Sequence, residues 1–186
     1  MNIFPKIGAV GVVCSIALNL NAESLYDDHH APQQDAHLHG YTELMIAIEG
    51  SALEISFESP ASSIVGFEHR ATSSEQFQRI EEARGILESS TELFSFSGGD
   101  CALSKAKADF SALAGPDKEH QAHEQSHSEI TASYEYECSQ AQNLDAISVN
   151  LISHFPRIEK VRAMWLTDVK QGAVELASKF NLIRIR

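Results

Sequence analysis

From Leu38 onward, apolar and polar residues alternate with a period of two. Leu44, Ile46 and Ile48 fall on one side of an extended segment, and Glu49-Gly50-Ser51 reads as a turn. Leu53, Ile55 and Phe57 then return with Glu54, Ser56 and Glu58 opposite. The pattern predicts an amphipathic hairpin, with its turn at Glu49-Gly50 or Gly50-Ser51, since register must bring both apolar sets to the buried side. Pro60 and Gly66 break the extended run. Thr72-Ser73-Ser74-Glu75 fits a capping box. It predicts a helix ending near Ser89, with Phe77, Ile80, Arg84 and Leu87 as its stripe, Ala83 and Ile86 broadening it, and Glu75, Arg79, Glu81 and Glu82 outside.

Alternation resumes at Lys105, Lys107 and Asp109 against Ala106, Ala108 and Phe110, and again at Glu129 to Glu137 against Ile130, Ala132, Tyr134 and Tyr136. Pairing Phe110 with Ile130 sets Lys105 opposite Glu135, a favourable cross-strand pair, and leaves residues 113–128 as the hairpin tip. Further on, Ile147, Val149 and Leu151 predict a strand and His154-Phe155-Pro156 a corner. Val161 to Leu166 reads as another strand, and Gly172 as a turn into Val174 and Leu176. The expected fold is α+β: mainly antiparallel hairpins forming a sheet or sandwich, with one principal amphipathic helix, in a single domain over residues 37–186.

The residues ahead of that domain read differently. Lys6 followed by the apolar run Ile7 to Leu20 and Leu20-Asn21-Ala22 has the form of a secretory signal, cleaved after Ala22. The run is too short to span a bilayer, which needs roughly 20 residues. Residues 23–36 are polar and aperiodic, a flexible leader carrying His29 and His30. Cleavage removes Cys14 and leaves Cys101 and Cys138 in an oxidising compartment, so a disulfide between them is expected. In the register just given the two cysteines are one residue out of step, and the bond needs a bulge or a strand end to form.

The chain has 14 basic and 26 acidic side chains, a net charge of -12, which excludes a role built on phosphate neutralisation and hence a nucleic-acid partner. The balance is uneven: residues 154–186 hold seven basic and three acidic side chains, the rest seven and 23. Nine histidines in an acidic chain point toward cations. In His37-Leu38-His39-Gly40-Tyr41-Thr42-Glu43, a strand reaching back to His37 places His37, His39, Tyr41 and Glu43 on the face opposite Leu44. Two imidazoles at that spacing can converge on one ion, and Glu43, Glu58 and His69 are candidates to complete a tetrahedral site. Imidazole suits zinc, copper or nickel, so spacing leaves the metal open. A loop over 114–128 carries His120, His123 and His127 among glutamates with no large apolar residue, a tract of low-affinity metal-capture type. There is no Gly-x-Ser-x-Gly elbow, phosphate-binding glycine loop or His-Glu-x-x-His, so an enzyme is not expected. The residual catalytic alternative is a zinc metallohydrolase with Glu43, Glu58 or Glu68 as general base. A structural or interaction protein of the envelope with incidental histidines is the other alternative.

His37-Leu38-His39-Gly40 leading into Glu43-Leu44, then Glu58-Ser59-Pro60 and Gly66-Phe67-Glu68-His69, resembles the ZrgA-type family of periplasmic zinc-uptake proteins. The capped helix, Cys101, the histidine-bearing loop, Tyr134 to Cys138 and Phe155-Pro156 carry the resemblance onward. The likeness runs from about Asp35 to the C-terminus. It implies a periplasmic protein that captures zinc and assists an importer of the ABC class, with the paired motifs mapping onto His37, His39 and His69. Family members often carry a denser histidine and aspartate run in the loop than His120, His123 and His127 provide. After cleavage of the signal, no membrane insertion is expected.

Overall fold

The computed structural model describes residues 40–89, 91–114 and 128–186. Strands β1 (Tyr41–Glu49) and β2 (Ala52–Pro60) form the expected hairpin, with Glu49 paired to Ala52 and therefore Gly50-Ser51 as its two-residue loop. Gly50 has φ +58°, a conformation that costs glycine nothing. Leu44, Ile46, Leu53, Ile55 and Phe57 are buried together, as alternation requires.

Strand β5 (Glu129–Gln140) pairs antiparallel with β2, and β4 (Gly99–Asp109) with β5. Strand β7 (Lys160–Thr167) lies against the other side of β1 in parallel, and β8 (Gln171–Leu176) closes the sheet antiparallel to β7. The order is β4-β5-β2-β1-β7-β8. The parallel β1–β7 pair departs from an all-hairpin arrangement. Neighbours in sequence announce hairpins, but nothing local announces that the first strand joins one more than a hundred residues later.

Lys105 faces Glu135 as the alternation predicts, with Nζ 2.7 Å from Oε1. The register shifts between Leu103 and Lys105, and this brings Cys101 opposite Cys138, where the disulfide forms. Of the bulge or strand end that the one-residue mismatch calls for, the structure has the bulge. Ser104, the extra residue, donates to the Glu135 carbonyl at 2.8 Å.

The second sheet is small: β3 (Phe94–Ser97), β6 (Ala146–Val149) and β9 (Leu182–Arg184), ordered β3-β6-β9. It packs on the first through edge-to-face ring pairs, Phe94 on Tyr134 at 5.0 Å and Phe96 on Tyr136 at 4.8 Å. The core lies between the sheets and beneath helix α2 (Ser74–Glu88), which buries Ile80, Ala83 and Leu87. Fully burying one Ile or Leu is worth about 1.5–3 kcal/mol, so this face outweighs the cap in holding the helix. The capping box is displaced one residue from the expected one: Ser73 is the N-cap and Gln76 its reciprocal partner. Phe77 is 46% exposed and sits outside the expected stripe. Arg84, placed in that stripe, lies over the Phe110 ring at 4.8 Å, so its guanidinium has an aromatic face to meet.

The described residues also include the short helices α1 (Ala61–Ile64), α3 (Ser111–Ala114) and α4 (Leu151–His154) and a 3-10 turn at Ala141–Asn143. Leu151, expected in a strand, starts α4, and the His154-Phe155-Pro156 corner follows it. Gly172 is not a turn but a strand residue opposite Trp165. A Cβ there would stand 2.6 Å from the indole, so only glycine admits the ring. Among the described residues no helix is long and apolar enough to cross a membrane.

Candidate metal-binding end of the sheet

One end of the large sheet gathers described residues that flank the histidine-bearing stretches at 37–39, 69 and 120–127. The Gly40 N–H donates to Ser63 Oγ at 3.3 Å, and its carbonyl accepts from Glu159 and Lys160. The Ala61 N–H donates to the Ser128 carbonyl at 2.8 Å, where the chain returns from the loop bearing His120, His123 and His127. The Ala71 N–H donates to the Leu113 carbonyl at 3.0 Å, tying the His69 segment to the residue before that loop departs. Beneath them, the hydroxyls of Thr42 and Ser59 satisfy each other at 2.8 Å in the core.

His69 is exposed, with its ring 5.3 Å from that of Phe67. Its Nδ1 lies 2.8 Å from the Arg70 carbonyl oxygen, so a neutral ring donating there keeps the lone pair on Nε2. That nitrogen is 3.5 Å from Gln76 Nε2. An imidazole fixed through Nδ1–H to a carbonyl is the arrangement in which Nε2 serves as a ligand. Nearby, Ser62 donates to Glu68 at 2.6 Å.

On the open face, register aligns Asp109, Thr131, Glu58, Glu43, Arg162 and Glu175 in one row across all six strands. Glu43 and Glu58 are direct cross-strand partners, which places their Cβ atoms about 4.5–5.5 Å apart. The nearest cation to Glu43 is Arg162, 3.8 Å away. Asp109 accepts from the Ser111 N–H at 2.8 Å, and that bond holds its carboxyl below the usual carboxylate range. At the far end of the row, Lys160 bonds Glu175 at 2.6 Å and faces the Tyr41 ring, and its ammonium pKa is raised chiefly by the Glu175 bond. Glu43, Glu58, Asp109, Lys107 and Thr131 border a shallow open groove of about 330 Å³.

Of the residues singled out from the sequence, the structure brings Glu43 and Glu58 together and leaves His69 in the loop beyond α1. His37, His39, His120, His123 and His127 lie outside the described residues, as do the signal and the leader. β1 begins at Tyr41, after Gly40 with φ +84°, and the expected extension of the strand back to His37 lies outside the described residues. Among the described residues no three His, Cys, Asp or Glu side chains group closely enough to hold a metal. Thr131 and Arg162 join the row through the β2–β5 and β1–β7 pairings, which no local pattern reveals. Asp109 was legible as an alternating strand residue but not as part of the row.

The fold and this end of it define a disulfide-stapled, two-sheet α+β domain whose open face carries a row of carboxylates interrupted by Thr131 and Arg162. Residues 36–185 match the model of the ZrgA family of zinc uptake proteins, and the chain belongs to that family. No curated protein matches the chain.

Proposed function

We propose that the protein captures zinc outside the cytoplasm and passes it to an ABC-class importer. Residues 1–22 direct export and are removed, leaving the domain in the periplasm. Zinc is the cargo, held at the Gly40 end of the sheet by His37, His39 and His69 with Glu43 or Glu58. His120, His123 and His127 feed that site or hold further ions. Membership of a zinc-uptake family is the observation that carries this reading. It is supported by three bonds at one end of the sheet, from Gly40 to the Ser63 hydroxyl, from Ala61 to the Ser128 carbonyl and from Ala71 to the Leu113 carbonyl. The described residues do not make a site by themselves, so the reading requires the imidazoles of 37–39 or of the loop.

A zinc titration of residues 23–186 against a competing chelator tests it. Outer-shell partners alone are worth about 10–100-fold in metal affinity, so a true ligand must be worth at least that. The expected result is a loss of at least about tenfold in both His69→Ala and the His37→Ala/His39→Ala double variant, and a smaller loss in Glu58→Gln. Because imidazole must be neutral to bind, affinity falls as pH drops through about 6.5. Weak wild-type binding unchanged in every variant, or affinity flat between about pH 7.5 and 5.5, overturns the ligand assignment.

A further inference from the structure

The two edges of the six-stranded sheet are finished differently. At β4 the ladder is broken by the bulge at Ser104, and Lys105 and Lys107 stand on the open face. Helix α2 also occupies the outward backbone there: Arg84 donates to the Ala108 carbonyl, and the Ala108 N–H donates to Glu88, each at 3.4 Å. Bulges, lysines and capped backbone groups are the means by which a sheet refuses another strand. At the opposite edge, β8 has none of them. Its residues include neither proline nor lysine, and its register with β7 is unbroken from Val161–Leu176 to Leu166–Gln171. Its one charged side chain, Glu175, is engaged by Lys160. Among the described residues nothing pairs with its outer side.

The core is unfinished along the same line. Ala108, Ala132, Phe57, Leu44 and Ala163 form one inward row in register, each at most 5% exposed. The row ends on Val174, in register with Ala163 and 37% exposed, because no strand lies beyond it. Charge marks the edge as well. Lys170 precedes β8 and Lys179 follows it, with Arg184 and Arg186 beyond, and none of the four makes an ion pair among the described residues. Asp168 and Glu175 are the only acidic side chains of 168–186 against these four cations, so in a chain of -12 the two ends of β8 attract anionic groups that the rest repels. Val169 and Phe180, at the two ends of β8, are 86% and 77% exposed.

We propose that β8 is a docking edge for an extended segment of a partner protein. The segment is apolar at alternate positions and acidic toward its ends, and it adds as a seventh strand. Main-chain bonds hold it, its inward side chain completes the row that stops at Val174, and its end carboxylates meet Lys170 and Lys179. A second copy of this chain fits less well, since a two-fold axis sets the Lys170 end of one copy beside the Lys179 end of the other. The inference does not depend on zinc capture.

Trp165 is the one tryptophan of the chain and packs on Gly172 of β8, so its emission reports on this edge. The probe is a synthetic peptide of alternating valine and threonine with two aspartates at each end, titrated into the purified protein. Its control is the same peptide ending in lysines. The expected result is saturable binding at least about tenfold tighter for the aspartate peptide, with hydrogen-exchange protection gained at residues 171–176. Val174→Lys abolishes it, and Lys170→Glu/Lys179→Glu reverses the preference even where Val174→Lys fails to fold. Absence of binding by either peptide, or equal affinity for both, overturns the proposal. So does a concentration-dependent dimer whose β8 amides are already protected, which assigns the edge to a second copy. Peptide-insensitive binding to vesicles of anionic lipid, lost in Lys170→Glu/Lys179→Glu, assigns the corner to a membrane and overturns it equally.

Discussion

The hydroxyl of Tyr134 is buried without a hydrogen-bond partner among the described residues, while the residue is 1% exposed and its ring meets Phe94 edge to face. Burial raises its pKa, so the phenol stays neutral. The ring is what the core uses, since an aromatic pair adds about 0.5–1.5 kcal/mol beyond its area and the hydroxyl only loses water. Tyr134→Phe is therefore expected to stabilise the protein by about 1 kcal/mol, and Tyr134→Ala to destabilise it by about 3–5 kcal/mol. Urea denaturation of both variants checks the pair of signs. A destabilised Tyr134→Phe would reveal a partner for the hydroxyl, such as a buried water.

At the scale of elements, the cap of α2 decides between two frames one residue apart. Ser73 accepts from the Gln76 N–H, and the Gln76 side chain receives the backbone N–H groups of Thr72 and Ser73. Ser73→Ala should therefore cost about 1 kcal/mol and Glu75→Ala clearly less, since Glu75 only pairs with exposed Arg79. Equal losses in thermal melts would return the box to the Thr72–Glu75 frame. The sequence held both candidates, because Thr-Ser-Ser-Glu-Gln satisfies the motif in either frame and only the tertiary position of Ile80 and Leu87 chooses. The β1–β2 hairpin and its buried face were legible, but alternation allowed a turn at Glu49-Gly50 or Gly50-Ser51, and the Glu49–Ala52 pair selects the second. Two cysteines and one charge pair that could not share a straight ladder called for a bulge or a strand end, and the structure has the bulge. Short β3 and β9 were not legible, because three or four residues carry too little alternation to stand out. Of the site, Glu43 and Glu58 were readable as neighbours across a hairpin, while Thr131 and Arg162 needed long-range pairings.

For the whole molecule, the Cys101–Cys138 bridge closes a 37-residue loop that includes α3 and most of β4 and β5. Chain entropy values such a closure at about 3–4 kcal/mol, which for a domain of this size is a shift of about 6–16 °C in melting temperature. The Cys101→Ala/Cys138→Ala variant, melted beside the wild type, should fall by that amount. An unchanged midpoint would show that the bridge adds nothing to equilibrium stability. A different consequence attaches to the parallel contact between β1 and β7, which joins Tyr41 to Lys160 and Ile48 to Thr167. During synthesis the first strand can meet β2 within seconds, but its other partner emerges 119 residues later, on the order of 6–24 s at about 5–20 residues per second. For that interval the strand destined for the interior of the sheet is itself an open border. Time on the ribosome thus becomes a hazard that a chaperone, or prompt export of the nascent chain, would have to cover.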